Sequence, residues 1–284
     1  MVYTNELSFK TLDNGIMDLG LKGKSAFVAG SSSGLGRAIA KELIMEGCRV
    51  AICSRGKDRI EAAASWLISQ TGCEPDRVLP LVCDVTDESE IKKAMEDTVS
   101  KFGSLNLLVT NSGGPPTGQI DDLDAEMWRS AIELNLMSTI NLCRAALPAL
   151  RKTSDDHASI LMITSLSAKQ PVPSLYLSNV SRAGVQGFSK SLSEQLGVEG
   201  ITVNTILPGY TKTDRLTHLS ESIHEQTGKS IGEIEAGWAA SSALKRIGTE
   251  EEFAAAATFL LSTRARFITG IALVVDGGAV KSLL

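Results

Sequence analysis

The chain has 284 residues, a formal net charge of −5 at pH 7, 43% hydrophobic residues and 21% charged residues. This composition is typical of a globular protein with a large buried core, and it excludes disordered chains and chains with a ~20-residue apolar membrane span. The acidic balance argues against nucleic acid as a partner, because phosphate binding needs a basic face, so a small-molecule substrate is expected.

Seven short apolar runs follow Lys24, and each is typical of a parallel strand that is covered on both faces. They lie at 25–30, 49–54, 78–83, 105–110, 158–164, 201–207 and 271–275. Helices are predicted between them at 35–47, 57–70, 87–101, 124–150, 178–197 and 249–261. Helix-start signals, a polar cap with early carboxylates, occur at 86–89 and 249–252. The alternation predicts an α/β fold: a single-domain, Rossmann-type, doubly wound parallel sheet of about seven strands with helices on both faces.

Residues 1–20 are predicted to be an N-terminal extension, and residues 21–284 a single domain. The first 15 residues have no apolar segment of the kind that a secretory signal carries. Residues 212–247 show no strand pattern and are predicted to form a lid over the substrate, through apolar lining or an amphipathic helix that packs on the body. The scattered cysteines lack metal-ligand spacing, which predicts buried, reduced thiols in a cytoplasmic protein without a metal site. They are Cys48, Cys53, Cys73, Cys83 and Cys143.

A glycine-rich turn connects the first predicted strand to the first predicted helix. Its glycines allow the backbone to approach a pyrophosphate closely, and the helix that follows offers unpaired N–H groups and the positive end of its dipole. The strand–turn–helix context at the start of a βαβ unit is the one that dinucleotide binding requires. The turn residues predicted to bind the cofactor are Gly30, Ser32, Ser33, Gly34, Leu35 and Gly36.

The end of the second strand indicates which dinucleotide is bound. An acidic residue at this point accepts hydrogen bonds from the adenine ribose and favours NAD. This chain has Ser54 and Arg55 instead, with no carboxylate before Asp58. A guanidinium suits a 2′-phosphate, so NADP(H) is predicted in preference to NAD(H).

Five motifs, in order, resemble those of the short-chain dehydrogenase/reductase family over about residues 20–280. They are AGSSSGLG at 29–36 with alanine in place of the usual threonine, CDV at 83–85, NSGG at 111–114, PGYTKT at 208–213 and VDGG at 275–278. The resemblance implies a nicotinamide dinucleotide as cofactor and a homo-oligomer, either a tetramer or a dimer. It adds to the cofactor site Asp84, Val85, Asn111, Ser112, Gly113, Arg182, Pro208, Gly209, Thr211 and Thr213.

The family's catalytic serine, tyrosine, lysine and asparagine are matched only in part. Ser165 and Asn135 stand at the serine and asparagine positions, and RAGVQGFSKSL at 182–192 places Arg182 at the lysine position. The tyrosine position, thirteen residues after Ser165, then falls on Ser178, and Tyr176 lies two residues earlier. A serine hydroxyl is a much weaker acid than a phenol, whereas arginine stays charged and stabilises a developing oxyanion.

Three interpretations of this divergence stay open. Tyr176 donates the proton from the loop before the helix, Lys169 takes that role, or the cofactor is bound without hydride transfer. The predicted function is that of an NADP(H)-dependent oxidoreductase acting on a ketone or a secondary alcohol, with 3-oxoacyl compounds among the candidates. The predicted catalytic residues are Ser165, Tyr176, Arg182 and Asn135. The alternative is a cofactor-binding protein without dehydrogenase activity, serving as a sensor or an assembly subunit.

Overall fold

The computed structural model describes residues 17–283, apart from the side chain of residue 226. Residues 1–16 of the predicted extension, and residue 284, lie outside the described residues. Asp18 and Leu19, near the end of that extension, are hydrogen-bonded to the domain. The Nε of Arg264 donates to the Asp18 carbonyl at 2.7 Å, and the N–H of Thr263 donates to the Leu19 carbonyl at 3.0 Å.

Seven parallel strands form one sheet, in the order β3-β2-β1-β4-β5-β6-β7. They are β1 (Ser25–Val28), β2 (Arg49–Ser54), β3 (Val78–Val82), β4 (Leu107–Thr110), β5 (Ala158–Ile163), β6 (Ile201–Pro208) and β7 (Ala272–Val275). All seven predicted strands are present, and the predicted doubly wound α/β fold is confirmed. The strand order reverses between β1 and β4, and ligands of such sheets bind beside this reversal.

Helices cover both faces of the sheet. They are α1 (Gly34–Met45), α2 (Lys57–Thr71), α3 (Glu88–Phe102), α4 (Ala125–Ile132), α5 (Ser138–Leu150), α6 (Tyr176–Gly197), α7 (Asp214–Thr227), α8 (Ile231–Ser241) and α9 (Glu250–Leu261). One π-helical turn, Glu133–Met137, joins α4 to α5, and short 3₁₀ turns lie at Pro75–Arg77, Ile120–Asp122, Leu166–Ala168 and Thr263–Ala265. One apolar core lies between the sheet and α1, α2 and α9, and a second lies between the sheet and α3, α5 and α6.

Two helix starts differ from the sequence prediction. Asp87 caps α3, because its Oδ1 accepts from the N–H groups of Ser89 and Glu90 at 2.8 and 3.1 Å, so Thr86 is not the cap. Helix α6 begins at Tyr176 rather than at 178, and its first backbone bond runs from the Asn179 N–H to the Leu175 carbonyl at 2.8 Å. Tyr176 is therefore a helical residue, which corrects its predicted place in the loop before the helix.

The segment predicted as a lid contains no strand and is mainly helical. It holds α7 and α8, and the ring of Trp238 on α8 stacks on Tyr210 with 5.2 Å between ring centroids. All five cysteines are buried and unpaired, as the sequence predicts. Among the residues the structure describes, no helix is long and apolar enough to cross a membrane.

Candidate active site

A cleft of about 400 Å³ opens at the carboxyl ends of β1, β4, β5 and β6. Residues from three of the five motifs meet in it together with Ser165 and Arg182, although Gly30 and Thr213 are 183 positions apart in the chain. Predicted site residues that line the cleft are Gly30, Ser33, Gly34, Leu35, Asn111, Ser112, Gly113, Ser165, Arg182, Pro208, Gly209, Thr211 and Thr213. The fold therefore brings the glycine turn, Ser165 and Arg182 to one place.

The glycine turn requires glycine at two positions because of their backbone conformation, and at a third because α1 lies very close to the turn. Gly30 and Gly34 have φ angles of +58° and +59°. A Cβ on Gly36 would lie 2.5 Å from the Gly30 carbonyl oxygen, so Gly36 must lack a side chain for α1 to pack on the turn. The first turn of α1 has no acidic residue, and Ser33 makes no side-chain cap. The N-terminal N–H groups of α1 therefore fit an anionic pyrophosphate.

Two polar side chains hold this turn against the neighbouring strands. The Ser31 hydroxyl donates to the Val28 carbonyl at 2.7 Å and accepts from the Cys53 N–H at 3.0 Å. The Asn111 amide donates to the Gly30 carbonyl at 3.0 Å. The turn is thus fixed before any ligand is bound, which lowers the entropic cost of binding.

The predicted 2′-phosphate residues lie at the end of β2, outside the cleft. The Ser54 hydroxyl donates to the Gly56 carbonyl at 3.3 Å, and Arg55 is exposed. A Cβ on Gly56 would lie 2.9 Å from Nε of Arg59, so a second guanidinium stands beside this strand end. The sequence interpretation missed Arg59, which lies one helical turn beyond Arg55.

Four further predicted cofactor residues also lie outside the cleft lining: Ser32, Gly36, Asp84 and Val85. The Asp84 carboxylate accepts from the N–H and the hydroxyl of Thr86 at 3.0 and 2.8 Å. Val85 is 9% exposed and packs in the core, and Ser32 is half-buried in the glycine turn. Their predicted contacts with the cofactor remain predictions.

Asn135 supports the cleft from behind. It lies on the π-helical turn and is fully buried. Its amide nitrogen donates to the Ser112 hydroxyl at 2.9 Å and to the Gly113 carbonyl at 2.8 Å, while its carbonyl oxygen accepts from the Ser181 hydroxyl at 3.2 Å. These contacts fix the loop after β4, so this structure gives Asn135 a positioning role.

Arg182 is the buried cation of the cleft. Its two terminal nitrogens donate to the Ile163 and Gly113 carbonyls at 3.1 and 3.2 Å, and its side chain is nine-tenths or more buried. Its Nε is buried and has no hydrogen-bond partner. Burial and, to a smaller extent, the positive charge of Arg215 together lower the pKa of the Arg182 guanidinium to about 10. Arg182 is therefore still a cation at neutral pH.

Two serines line the cleft beside Arg182. The Ser165 hydroxyl accepts from the Ser167 N–H at 3.1 Å, and the hydroxyls of Ser167 and Ser178 lie 3.1 Å apart. Ser178 and Arg182 are one turn apart on α6, so both reach the cleft from the same face of that helix.

Neither candidate proton donor named from the sequence is among the cleft-lining residues. The Tyr176 side chain is 39% exposed at the start of α6, and Lys169 is half-buried. Val172, which lies between Lys169 and Tyr176 in the chain, does line the cleft, and both its N–H and its carbonyl are bonded to the Asn179 side chain at 3.2 and 3.0 Å. The wall is therefore held in place with Tyr176 on its outer side.

Sequence interpretation missed two cleft residues with side-chain roles, Tyr210 and Arg215. Tyr210 lines the cleft, and burial raises the pKa of its phenol. Arg215 lines it from α7, and its guanidinium lies against Gly114 so closely that a Cβ there would overlap it. Tyr210 lies inside the PGYTKT motif and Arg215 two residues beyond it, so proximity to that motif was the available signal. In residues 17–283 no group of three metal-ligating side chains occurs.

Comparison with known proteins gives consistent matches across the chain. Residues 29–280 match the family model described as enoyl-(acyl carrier protein) reductase. The chain is 31% identical over 258 residues to the 3-oxoacyl-[acyl-carrier-protein] reductase FabG of Chlamydia muridarum, covering 91% of this chain and 98% of that protein.

Two solved structures are also similar. One is L-sorbose reductase from Gluconobacter frateurii in complex with NADPH and L-sorbose, with a TM-score of 0.88 and 32% identity over 94% of this chain and 100% of that one. The other is an NADPH-bound short chain oxidoreductase from Pseudomonas aeruginosa PAO1 that contains an atypical catalytic centre. Its TM-score is 0.82 and its identity 30%, over 91% of this chain and 97% of that one.

Proposed function

The chain belongs to the short-chain dehydrogenase/reductase family, and we propose that it is an NADPH-dependent enzyme that reduces a ketone or oxidises the corresponding secondary alcohol. One observation carries this proposal: Ser165 and the buried cation Arg182 line the same cleft as the glycine turn. The named activities of the relatives, reduction of a 3-oxoacyl group and of L-sorbose, support a carbonyl as the reacting group.

The residues of the cleft fit a nicotinamide dinucleotide. The uncapped N-terminus of α1 would hold the pyrophosphate, and Gly36, which has no side chain, allows α1 to pack on the glycine turn. Pro208, Gly209 and Thr213, which the family resemblance assigns to the nicotinamide, line the same cleft. When bound, NADPH supplies the hydride.

The chain's own residues would polarise the carbonyl. The Ser165 hydroxyl donates a hydrogen bond to the carbonyl oxygen, and Arg182 stabilises the negative charge that develops there. Arg182 is preorganised for this, because two backbone carbonyls fix its guanidinium in the lining of the cleft. Burial strengthens its electrostatic effect, because little water screens it.

The structure adds a candidate for the residue that donates the proton to the substrate oxygen. Tyr210 is a cleft-lining phenol, and its raised pKa keeps it protonated at neutral pH. We therefore expect Tyr210→Phe to lower kcat for carbonyl reduction by about 100-fold or more. Tyr176→Phe and Lys169→Met are the matched comparisons, since neither residue is part of the cleft lining. Steady-state kinetics of the three variants decide the assignment. A large loss in Tyr176→Phe or Lys169→Met, with wild-type turnover in Tyr210→Phe, would return the role to the residue that the sequence nominated.

The preference for NADPH is proposed to depend on Arg55, with Arg59 beside it. Arg55→Asp replaces a cation that attracts the 2′-phosphate by a carboxylate that repels it and accepts hydrogen bonds from a free ribose. We expect the ratio of the NADPH to the NADH dissociation constant to rise by about 100-fold. Lys57→Asp is the control, because it makes the same change of charge at an exposed lysine paired with Glu61. Equal shifts in the two variants would mean that only net charge matters.

Three broader proposals accompany this function. Residues 212–247 cover the substrate, and Leu216 and Leu219 of α7, which line the cleft, support this. The chain forms a homo-oligomer, and the exposed Phe267 and Ile271 beside the edge strand β7 support a covered surface there. It acts in the cytoplasm, where its buried thiols stay reduced.

The experiment that tests the proposed function is an assay of NADPH oxidation over a panel of ketones. We expect NADPH to bind and at least one ketone to be reduced. Tight binding of NADPH without turnover on any ketone or alcohol of the panel would instead favour a cofactor-binding protein without dehydrogenase activity.

A further inference from the structure

Two guanidinium groups occupy neighbouring parts of the cleft. Arg182 donates to the Gly113 carbonyl at 3.2 Å, and Arg215 lies against the next residue, Gly114. Arg215 is the second residue of α7, so it crosses from the proposed lid to the loop after β4. The absence of a side chain on Gly114 is what allows Arg215 to lie there, because a Cβ would overlap its guanidinium.

These two cations have no carboxylate partner. Within the described part of the chain, Arg215 forms no ion pair, and Arg182 is bonded only to the two carbonyls, with its buried Nε left without a partner. Arg182 is buried, which lowers the pKa of its guanidinium, and the charge of Arg215 lowers that pKa too. Arg215 is exposed to solvent, and partial burial lowers the pKa of its guanidinium. The two groups therefore repel each other in the cleft, and an anion bound there would stabilise both.

Asp214 is the one carboxylate among the described residues that line the cleft. It forms no ion pair with Arg215, which is its neighbour in sequence. The charge of Asp214 shifts the pKa of neither Arg182 nor Arg215, so no direct carboxylate contact neutralises the two arginines.

The rest of the substrate end of the cleft is largely apolar. Its apolar lining consists of Pro115, Leu166, Val172, Leu175, Leu216 and Leu219. A ligand that matches both the two arginines and the apolar lining has an apolar body and an anionic group close to its reacting carbonyl. A planar carboxylate matches the two-pronged geometry of a guanidinium.

We infer that Arg215 is a carboxylate-binding residue and that the substrates of this enzyme are oxo acids with an apolar body. This inference rests on the proposed function. Ser165 and Arg182 hold the carbonyl oxygen, Arg215 binds the carboxylate, and the apolar wall contacts the remainder. Binding between the two arginines orients the carbonyl before reaction.

A matched set of ketones tests the inference. The probes are 2-oxo-4-phenylbutanoate, its ethyl ester and 4-phenyl-2-butanone, which share an apolar body and differ in charge. We expect wild-type kcat/KM to be at least about 10-fold higher for the acid than for the ester. Arg215→Met should raise KM for the acid by about 10- to 100-fold and leave the ester unchanged. Equal kcat/KM for acid and ester in the wild type, or an unchanged preference in Arg215→Met, would overturn the inference and leave the proposed function standing.

Two further variants separate the guanidinium from general charge. Gly114→Ala should lower the preference for the acid without removing a charge, because its Cβ displaces Arg215. Lys212→Met removes an exposed cation three residues from Arg215 and should leave the preference unchanged. Loss of the preference in Lys212→Met to the same extent as in Arg215→Met would contradict a specific site.

A binding measurement keeps the inference testable if no ketone is reduced. The probe is 4-phenylbutanoate, which has the carboxylate but no carbonyl, titrated calorimetrically into protein saturated with NADP⁺. We expect binding to the wild type and a dissociation constant raised at least about 10-fold in Arg215→Met. The affinity for NADPH should be the same in both proteins. Weaker NADPH binding with unchanged 4-phenylbutanoate binding would assign Arg215 to a cofactor phosphate and overturn the inference.

Discussion

Arg182→Met is expected to lower kcat for ketone reduction by about 100- to 1,000-fold, the effect of removing one preorganised donor to a developing oxyanion. Methionine fills a similar volume but carries no charge and no hydrogen-bond donor. NADPH binding should weaken much less, because the glycine turn and the N-terminus of α1 remain intact. Steady-state kinetics with NADPH and the best ketone of the panel measure the loss.

The variant must be shown to be folded, because Arg182 also donates to the Ile163 and Gly113 carbonyls. Arg182→Lys provides the comparison, since it keeps the charge but loses the two-pronged arrangement of donors. We expect intermediate activity from it, above that of Arg182→Met. Wild-type turnover in a folded Arg182→Met would show that the buried cation does not take part in the reaction.

Gly36→Ala is expected to weaken NADPH binding by roughly 10- to 100-fold and to destabilise the protein by about 1–3 kcal/mol. The added methyl group would lie 2.5 Å from the Gly30 carbonyl oxygen and 3.0 Å from the Asn111 amide. The glycine turn must therefore move away from α1, and the anion-binding geometry is lost. NADPH titration and thermal unfolding measure the two effects.

Gly237→Ala is the matched control for this substitution. Gly237 lies on α8, and nothing is within 4 Å of a Cβ built on it. Alanine there should stabilise the helix by about 0.5–1 kcal/mol and leave NADPH affinity unchanged. Equal NADPH affinity in Gly36→Ala and Gly237→Ala would contradict the assignment of the turn to the cofactor.

The sheet could be predicted from the sequence because its strands are buried on both faces. Such strands need a continuous apolar run, and β1 and β5, with every residue buried, show this pattern. The glycine turn was equally readable, because tight turns and close backbone approach restrict the residue type. Both features could be predicted because the physical requirement falls on residues that are adjacent in the sequence.

The start of α6 could not be predicted from the sequence in this way. Leu175 precedes the helix without a side-chain cap, and the loop before it depends on the Asn179 side chain and on Ser174 at a φ of +62°. None of these is a standard helix-start signal. By contrast, Ser230 and Glu233 form a capping box at α8, a signal present in the sequence from which that helix could have been predicted.

The second arginine of the cleft could not be assigned from sequence alone. Arg215 is an ordinary exposed charge on a predicted lid until the fold places it against Gly114 and near Arg182. The same holds for Tyr210, which lies in the loop after β6 and whose ring stacks on Trp238 of α8. Both roles depend on contacts between residues that are far apart in the sequence. The pattern of apolar residues along the chain does not predict such contacts.

Transfer of deuterium from labelled NADPH tests the central claim most directly. The wild-type protein is incubated with 2-oxo-4-phenylbutanoate, its ester and the neutral ketone in turn, each with NADPH deuterated on one or the other face of C4. Mass spectrometry of the alcohol product then reports the origin of its new hydrogen. We predict a product heavier by one mass unit with one of the two labelled forms and unlabelled product with the other. An absence of alcohol product with both labels, while NADPH is bound, would contradict the assignment of this cleft to hydride transfer.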